Sequence, residues 1–224
     1  MGLDMYLQRA PRFEDITAKG IKAIEGYFSW KEAKAQGNDY AKCTLKKWCG
    51  VDYKDVPKRA IKFYAPHHTT KYSAWDTEHK YGHTALWEGV GYWRKANAIH
   101  RWFVDNVQDG VDDCDYYEVS KEQLEALLSA CEAVKAATQL EKGWVKNGET
   151  FANGMWCPNY EEGKTIVNPE VAEELLPTQG GFFFGSTEYD QYYMDDINET
   201  IDILTKVLET TDFDTQIIAY CSSW

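Results

Sequence analysis

The sequence is short of basic residues: Lys and Arg total 24 against 36 Asp and Glu, which gives a formal net charge of −12. No extended basic stripe offsets this negative charge. Long nucleic acids and anionic membrane surfaces repel such a protein, so we expect neither as a partner. Aromatic side chains are abundant instead. With 9 Trp, 15 Tyr and 9 Phe, the composition is that of a folded domain rather than of a disordered acidic segment.

Long apolar runs are also lacking. No stretch approaches the ~18 apolar residues that a membrane-spanning helix requires. Met1–Arg12 has no basic segment followed by an apolar run, which is the pattern of a secretory signal. Six cysteines occur at irregular spacings, so we expect a cytoplasmic protein whose cysteines are mostly free thiols. Cys131 falls on the apolar face of a predicted helix, where cysteine packs as a small hydrophobe.

Signatures of familiar enzyme classes are absent. The sequence has no G-x-x-x-x-G-K-[ST] phosphate loop, no dinucleotide-binding fingerprint and no G-x-S-x-G elbow. Candidate zinc ligands are Cys43, Cys49, His67, His68, His79 and His83. Neither C-x-x-C nor H-E-x-x-H occurs among them, so we predict no metal and no cofactor.

Strand and helix patterns alternate along the chain. They predict a single α+β domain over residues 1–224, with a mixed or mostly antiparallel sheet and three principal helices. The principal helices are expected over 87–107, over 120–134 after a Ser120 capping box, and over 187–208 after a Thr187 cap, with a short helix over 169–177. Strands are expected at 1–8, 60–64, 114–119, 180–185 and 213–220. A variable, insert-like region at 31–80 and a loop-rich region or irregular hairpin at 141–168 complete the prediction.

The helix predicted over 87–107 carries the first candidate ligand-binding residues. On a helical wheel His100 lies inside the apolar sector, Asn97 lies at its edge, and Arg94 and Arg101 lie just beyond. An imidazole, an amide and two guanidinium groups on one side of a helix suit a phosphate or a nucleobase edge. The alternative is a core histidine hydrogen-bonded to a backbone carbonyl, with both arginines in solvent.

Gly185, Ser186 and Thr187 form the second candidate, because they lie between a predicted strand and a predicted helix N-terminus. Free backbone N–H groups and the helix dipole favour an anion there. Thr187 followed by Asp190 also fits ordinary helix capping, so both interpretations stay open.

Aromatic rings form the third candidate, since a ring can stack on a nucleobase. Tyr189 and Tyr193 follow the apolar stripe of the last predicted helix, and packing is the better explanation for them. Tyr192, Trp93 and Trp102 are the freer rings, and we include Tyr192 and Trp93 among the ligand-binding candidates.

Four segments stand out in the sequence: MGLDMYL, YWRKANAIHRWFVDNVQDGVDDC, FFFGSTEYDQYY and the terminal CSSW. They resemble a family of proteins encoded by bacteriophages and prophages, and the similarity spans the chain except for 31–80. Some members are described as phosphoglycerate kinases, although that enzyme is a much longer protein of two domains. The resemblance implies an accessory role for a phage and brings no active site with it.

Together these features predict a phage anti-defence protein that binds a small, anionic, nucleotide-derived immune signal and sequesters it without catalysis. One alternative is a nucleotide-processing enzyme with His100 as its general base. Another is an acidic inhibitor that docks on a host defence protein. A homo-oligomer is compatible with each of these three functions.

Overall fold

The computed structural model describes residues 2–14, 16–50, 58–67, 86–152, 154–181 and 184–224. Its strands are β1 Asp4–Pro11, β2 Glu88–Arg94, β3 Tyr117–Val119, β4 Leu140–Ala152, β5 Met155–Ile166 and β6 Gln216–Ser223. Its helices are α1 Ala18–Ala35, α2 Leu45–Cys49, α3 Lys58–Tyr64, α4 Asn97–Asn106, α5 Lys121–Ala137, α6 Glu170–Leu175 and α7 Gln191–Thr210, with a 3-10 turn at Asp39–Lys42. The predicted α+β class is confirmed, and both sheets of the described chain are antiparallel.

The main sheet has the strand order β2-β1-β6-β3, so the last strand of the chain lies inside it. Successive side chains of a strand point to opposite faces of the sheet. Ile218 and Tyr220 of β6 therefore belong to one hydrophobic cluster and Ile217 and Ala219 to a second. Helices α4 to α7 pack in the first cluster and helices α1 to α3 in the second, which buries both faces of the sheet.

The layer formed by α1 to α3 was not predicted. The run Ala60–Tyr64, predicted as a strand, is part of α3. A run of five apolar and basic residues does not distinguish a strand from a buried helix, which explains the error. The available signal for α1 was Thr17, whose side chain accepts a hydrogen bond from the Gly20 N–H and caps the helix.

The helix predicted over 87–107 is wrong in its first half, where the chain forms strand β2 before α4 begins at Asn97. Gly91 shows why a strand is needed there. A Cβ on it would lie 2.6 Å from Cγ2 of Ile203, so β2 passes directly beneath α7 at a distance that only glycine allows. Lys95, at a φ of 64°, then turns the chain into α4.

The region 141–168 was predicted as rich in loops or as an irregular hairpin, and the hairpin is correct: β4 and β5 pair along most of it, with a bulge between Lys146 and Glu149. Most of its residues are exposed. A strand with water on both sides needs no alternation of apolar and polar residues, so the sequence lacks the usual pattern.

Of the two capping predictions, one is correct and the other is wrong. The Ser120 capping box of α5 is present, with Gln123 as its partner. Asp190, not Thr187, caps α7: its Oδ1 accepts hydrogen bonds from the N–H groups of Tyr192 and Tyr193. The strand predicted at 180–185 is not formed by residues 180, 181, 184 or 185, and residues 182 and 183 lie outside the described residues.

Other predictions are confirmed. Pro169 precedes the short helix α6. All six cysteines are free, and Cys131 is fully buried among the apolar side chains around α5. None of the described helices is both long enough and apolar enough to cross a lipid bilayer.

The hydrogen bond between Trp93 and Thr200 allows a direct test of this packing. The Trp93 indole N–H donates to Thr200 Oγ1 at 2.9 Å, and both side chains are buried. Thr200→Val removes the acceptor, and we expect the free energy of unfolding to fall by about 1–3 kcal/mol in chemical denaturation. Thr205→Val, at an exposed position of the same helix, is the control. Equal effects of the two substitutions would contradict the packing described here.

Candidate functional site

A cleft of about 680 Å³ opens where β2 meets α4. Its walls are the β2–α4 connection, the bulge of the β4–β5 hairpin, the loop that precedes α7, and the first turns of α7. The lining residues are Arg94, Lys95, Asn97, Ala98, Lys146, Asn147, Gly148, Glu149, Thr178, Gly181, Gly185, Ser186, Glu188, Asp190, Tyr192, Tyr193, Asp195 and Asp196. We call it the hairpin cleft. Its volume lies within the range of roughly 300–1,000 Å³ that is usual for small-molecule sites.

The structure brings five of the nine predicted ligand-binding residues together in this cleft: Arg94, Asn97, Gly185, Ser186 and Tyr192. They come from both halves of the sequence and from different elements. The other four residues, Trp93, His100, Arg101 and Thr187, do not line the cleft.

Asn97 holds one wall of the cleft in place. Its Nδ2 donates to the carbonyl oxygens of Phe184, at 3.0 Å, and Ser186, at 2.7 Å, while its Oδ1 accepts from the Gln179 N–H at 2.9 Å. These bonds use both amide hydrogens and the carbonyl oxygen of a side chain that is only 4% exposed. Asn97 therefore positions the segments 178–181 and 184–187 instead of offering its amide to a ligand.

Gly185 meets the β2–α4 turn at close range. Its φ of 91° is one that glycine adopts readily, and a Cβ on it would lie 3.1 Å from Cβ of Lys95. Lys95 itself has a left-handed backbone. The two residues thus bring the loop that precedes α7 against the turn that carries the cations of the cleft.

His100 belongs to the core. Its ring is fully buried, with Nδ1 2.7 Å from the Tyr220 hydroxyl and Nε2 3.0 Å from Asp112 Oδ2. The edge of the ring also packs on Phe184, and Trp224 donates its indole N–H to the other oxygen of Asp112. Both ring nitrogens have partners, as buried polar groups require, and these partners are side chains rather than the expected backbone carbonyl.

The remaining three predicted residues, Trp93, Arg101 and Thr187, lie outside the cleft. Trp93 is buried and bonded to α7, as described above. The Arg101 guanidinium lies 3.5 Å from Asp105, one turn along its own helix. Thr187 is exposed, and its carbonyl accepts a hydrogen bond from the Thr178 hydroxyl. Because α7 starts only at Gln191, Thr187 is not at a helix N-terminus, and the expected dipole-based anion site is not formed there.

All walls of the cleft carry charges, including Lys146 with Glu149 on the hairpin and Glu188 on the loop that precedes α7. Arg94 and Lys95 lie side by side, since a Cβ on Gly2 would approach Nε of Arg94 at 3.8 Å and Cε of Lys95 at 3.4 Å. Neither cation has an ion pair within the described part of the chain. Asp190, which caps α7, and Asp195 and Asp196 in its first turns line the same cleft.

Sequence reasoning missed the hairpin wall and these carboxylates. Lys146 and Glu149, which are paired at 2.6 Å across the bulge, fell in a region predicted as a loop or an irregular hairpin. Residues five or six positions apart point to nearly opposite sides of a helix, so the spacing of Asp190 from Asp195 and Asp196 gave no signal in the sequence. Asp190 is the cap residue that precedes α7.

Asp196 is the most perturbed carboxyl group of the cleft. Burial, followed by the negative charges of Glu199, Asp195 and Asp190, raises its pKa from 3.8 to about 7. Asp190 is also affected, because burial raises its pKa. Its Oδ2 is buried and has no hydrogen-bond partner among the described residues.

A second cleft, of about 700 Å³, lies between α1 and the loop that precedes β3. Its basic residues, Lys19 and Lys22, are already paired with Asp115 at 3.1 and 3.2 Å. The two lysines are therefore less available to a ligand than the unpaired cations of the hairpin cleft.

Among the described residues, no group of three or more His, Cys, Asp or Glu side chains is arranged to hold a metal ion. Of the candidate zinc ligands, His68, His79 and His83 lie outside the described residues.

No protein-family model, curated protein or solved structure matches this chain. The choice of a functional site therefore rests on the cleft itself.

The role of Asn97 can be tested by hydrogen exchange. Asn97→Ala leaves the Gln179 N–H and two carbonyl groups without a partner, and we expect a loss of about 1–3 kcal/mol in stability. The Gln179 amide should also exchange faster with solvent. The matched control is Asn106→Ala, because Asn106 is exposed and its side chain bonds only to the carbonyl of Trp102 in its own helix. Unchanged exchange at Gln179 would contradict the positioning role.

The pKa of Asp196 predicts how stability depends on pH. In the folded protein the carboxyl keeps its proton up to about pH 7, whereas in the unfolded chain it loses the proton near its usual pKa of 3.8. Its contribution to stability is therefore greatest below that value and declines as the pH rises toward 7. Asp196→Asn removes this penalty, so it should raise the Tm relative to the original protein at pH 8 and not at pH 3.5.

Asp202→Asn is the control for this pH test, because Asp202 is an exposed carboxylate of the same helix. We expect it to shift the Tm little at either pH. A gain for Asp196→Asn that is the same at both pH values would show that the carboxyl is not held protonated.

Proposed function

We propose that the chain binds a small nucleotide-derived ligand in the hairpin cleft and holds it without chemical change. One observation carries this proposal: Arg94 and Lys95 lie side by side at the cleft, exposed and without ion pairs in the described chain, and Tyr192 lines the same cavity. Two adjacent cations suit a phosphate group, and each charge-assisted hydrogen bond contributes about 1.5–3 kcal/mol.

Tyr192 supports the nucleotide part of the proposal. It is 39% exposed, and its hydroxyl donates a short hydrogen bond to Glu161 of the hairpin, which restricts the position of the ring. A nucleobase that stacks on such a ring gains roughly 1–3 kcal/mol.

The carboxylates limit which nucleotide fits. Asp190 and Asp195 repel a highly charged polyphosphate, and together with Asp196 they accept hydrogen bonds from the amino and imino groups of a base. The cleft therefore favours a ligand with two or three phosphate charges and several donors, such as a cyclic di- or trinucleotide or a derivative of ADP-ribose.

The position of His100, the general base of the alternative enzyme, supports binding without turnover. Its two ring nitrogens are occupied by Tyr220 and Asp112, and the residue does not line the cleft. Binding alone is sufficient for sequestration. Together with the resemblance to phage-encoded proteins, this supports an anti-defence role in which the ligand is a nucleotide signal of bacterial immunity.

A second candidate function arises from Asp196. A carboxyl group with a pKa of about 7 in a cleft is suited to transfer protons at neutral pH, which favours an enzyme that acts on the same ligand. Mass spectrometry of the ligand after prolonged incubation separates the two functions. Intact ligand supports sequestration, whereas a product that disappears with Asp196→Asn supports catalysis.

Binding is tested by calorimetric titration with cyclic dinucleotides, cyclic trinucleotides and ADP-ribose. Arg94→Gln and Lys95→Gln should each weaken binding by about 10- to 100-fold, the effect of losing one charge-assisted hydrogen bond. Arg59→Gln is the control, because Arg59 is an exposed residue of α3 that pairs with Glu14. The absence of heat with every compound, or full affinity in both cleft variants, would refute the proposed site.

A further inference from the structure

The β4–β5 hairpin exposes four large aromatic side chains. Trp144 is 66% exposed, Phe151 60%, Trp156 66% and Tyr160 58%. Beyond the bulge, residues 149–152 and 154–156 are all exposed. Single exposed aromatics are common on protein surfaces, but four on one hairpin form a patch that requires an explanation.

The register of the hairpin places all four rings on the same face. Paired residues of an antiparallel sheet share a face, and successive residues of a strand alternate between faces. Phe151 pairs with Trp156, Trp144 pairs with Glu162, and Tyr160 lies between these positions along β5. We call this the aromatic face.

Both faces of the hairpin touch the rest of the protein near its base. On the face opposite the rings, Val145 is buried, and Glu161, its partner in the ladder, accepts the hydrogen bond from Tyr192 of α7. By register, the aromatic face also carries Ile166, which is buried in the core, and Lys146, which lines the hairpin cleft. The four rings themselves are each more than half exposed, so they remain available to a partner.

The size of the aromatic face matches a stable interface between two identical chains. A fully buried aromatic side chain covers roughly 150–250 Å², so four rings that are about three-fifths exposed offer roughly 350–600 Å². Two copies packed face to face would bury roughly 700–1,200 Å² from these rings alone. This reaches the total of about 1,000 Å² that a specific interface needs, before any flanking residue is added.

The charges of the aromatic face also favour a second copy. By register, the face carries Lys142, Lys146 and Lys164 with Glu149 and Glu162, so it is nearly neutral in a chain with a net charge of −12. Two copies can approach through this face without strong repulsion, and lysine of one copy can pair with glutamate of the other. Nucleic acids and anionic membranes are repelled by the net negative charge of the whole chain, so a second copy suits the face better than they do.

A second copy would also stabilise the hairpin itself. An isolated two-stranded hairpin is marginally stable in water, and the part beyond the bulge has no buried apolar side chain of its own. Interfaces of homodimers are rich in Trp, Tyr and Phe, which are the residues found here. We propose that two copies of this chain form a symmetric dimer by packing their aromatic faces together.

The mass in solution tests the dimer. Light scattering and sedimentation velocity at about 50 µM, where an interface with micromolar affinity is mostly occupied, should give twice the chain mass of 25.8 kDa. The variant Trp144→Lys with Trp156→Lys should give the mass of one chain, with unchanged circular dichroism because both residues are exposed. Tyr40→Lys, at an aromatic side chain that is 85% exposed on the 3-10 turn, should remain dimeric.

Two outcomes overturn the proposal: a monomer at this concentration, or a dimer that survives both tryptophan substitutions. Hydrogen exchange of the original protein at high and low concentration gives an independent test if the double variant does not fold. Protection of 149–158 that is lost on dilution supports the dimer, and equal exchange at both concentrations contradicts it. A monomer whose tryptophan fluorescence responds to single-stranded DNA or to lipid vesicles assigns the face to that partner and refutes self-association.

Discussion

The antiparallel pairing of β1 with β6 is the constraint on which the rest of the structure depends. The two strands pair from Asp4 with Ser223 to Pro11 with Gln216, which joins the two ends of the chain in the middle of the sheet. Alternate residues of β6 enter the two hydrophobic clusters, so neither helix layer has a complete core without this strand. Such long-range pairing costs loop-closure entropy before the contacts form. Both helix layers depend on this one pairing for their cores.

Buried polar side chains then determine how the helices sit on the sheet. Trp93 binds Thr200, which fixes β2 against α7, and His100 joins Tyr220 of β6 to Asp112. Asn97 binds the loop that precedes α7. Histidine, asparagine and tryptophan at helical spacing suggest ligand binding, but the same groups satisfy hydrogen bonds inside a core. In this protein the core uses most of them.

The hairpin cleft exists because the turn at Lys95 separates β2 from α4. If 87–107 were one helix, Arg94 would lie on its surface, far from the residues around Ser186. The left-handed turn instead places two unpaired cations beside that loop, in the same cleft as the carboxylates at the start of α7. The hairpin contributes a wall of the cleft with its bulge, while the aromatic face carries rings on both sides of that bulge. A ligand site and a surface for self-association can therefore coexist on one hairpin.

The sequence by itself determined the α+β class, the terminal strands, the helix after Ser120 and the last helix, because capping residues and apolar periodicity are local signals. It also identified five residues of the cleft, although Arg94 was found through a helix that does not extend to it. Tertiary packing was needed to place Gly91 in a strand and α1 on the second face of the sheet, and to choose the hairpin over a loop for 140–166. Each of these depends on what packs against the segment: Ile203 above Gly91, β6 beneath α1, and α7 beside the hairpin. Neighbours that are distant in the sequence leave no local pattern, and the same reason explains why the walls of the cleft became visible only in the folded chain.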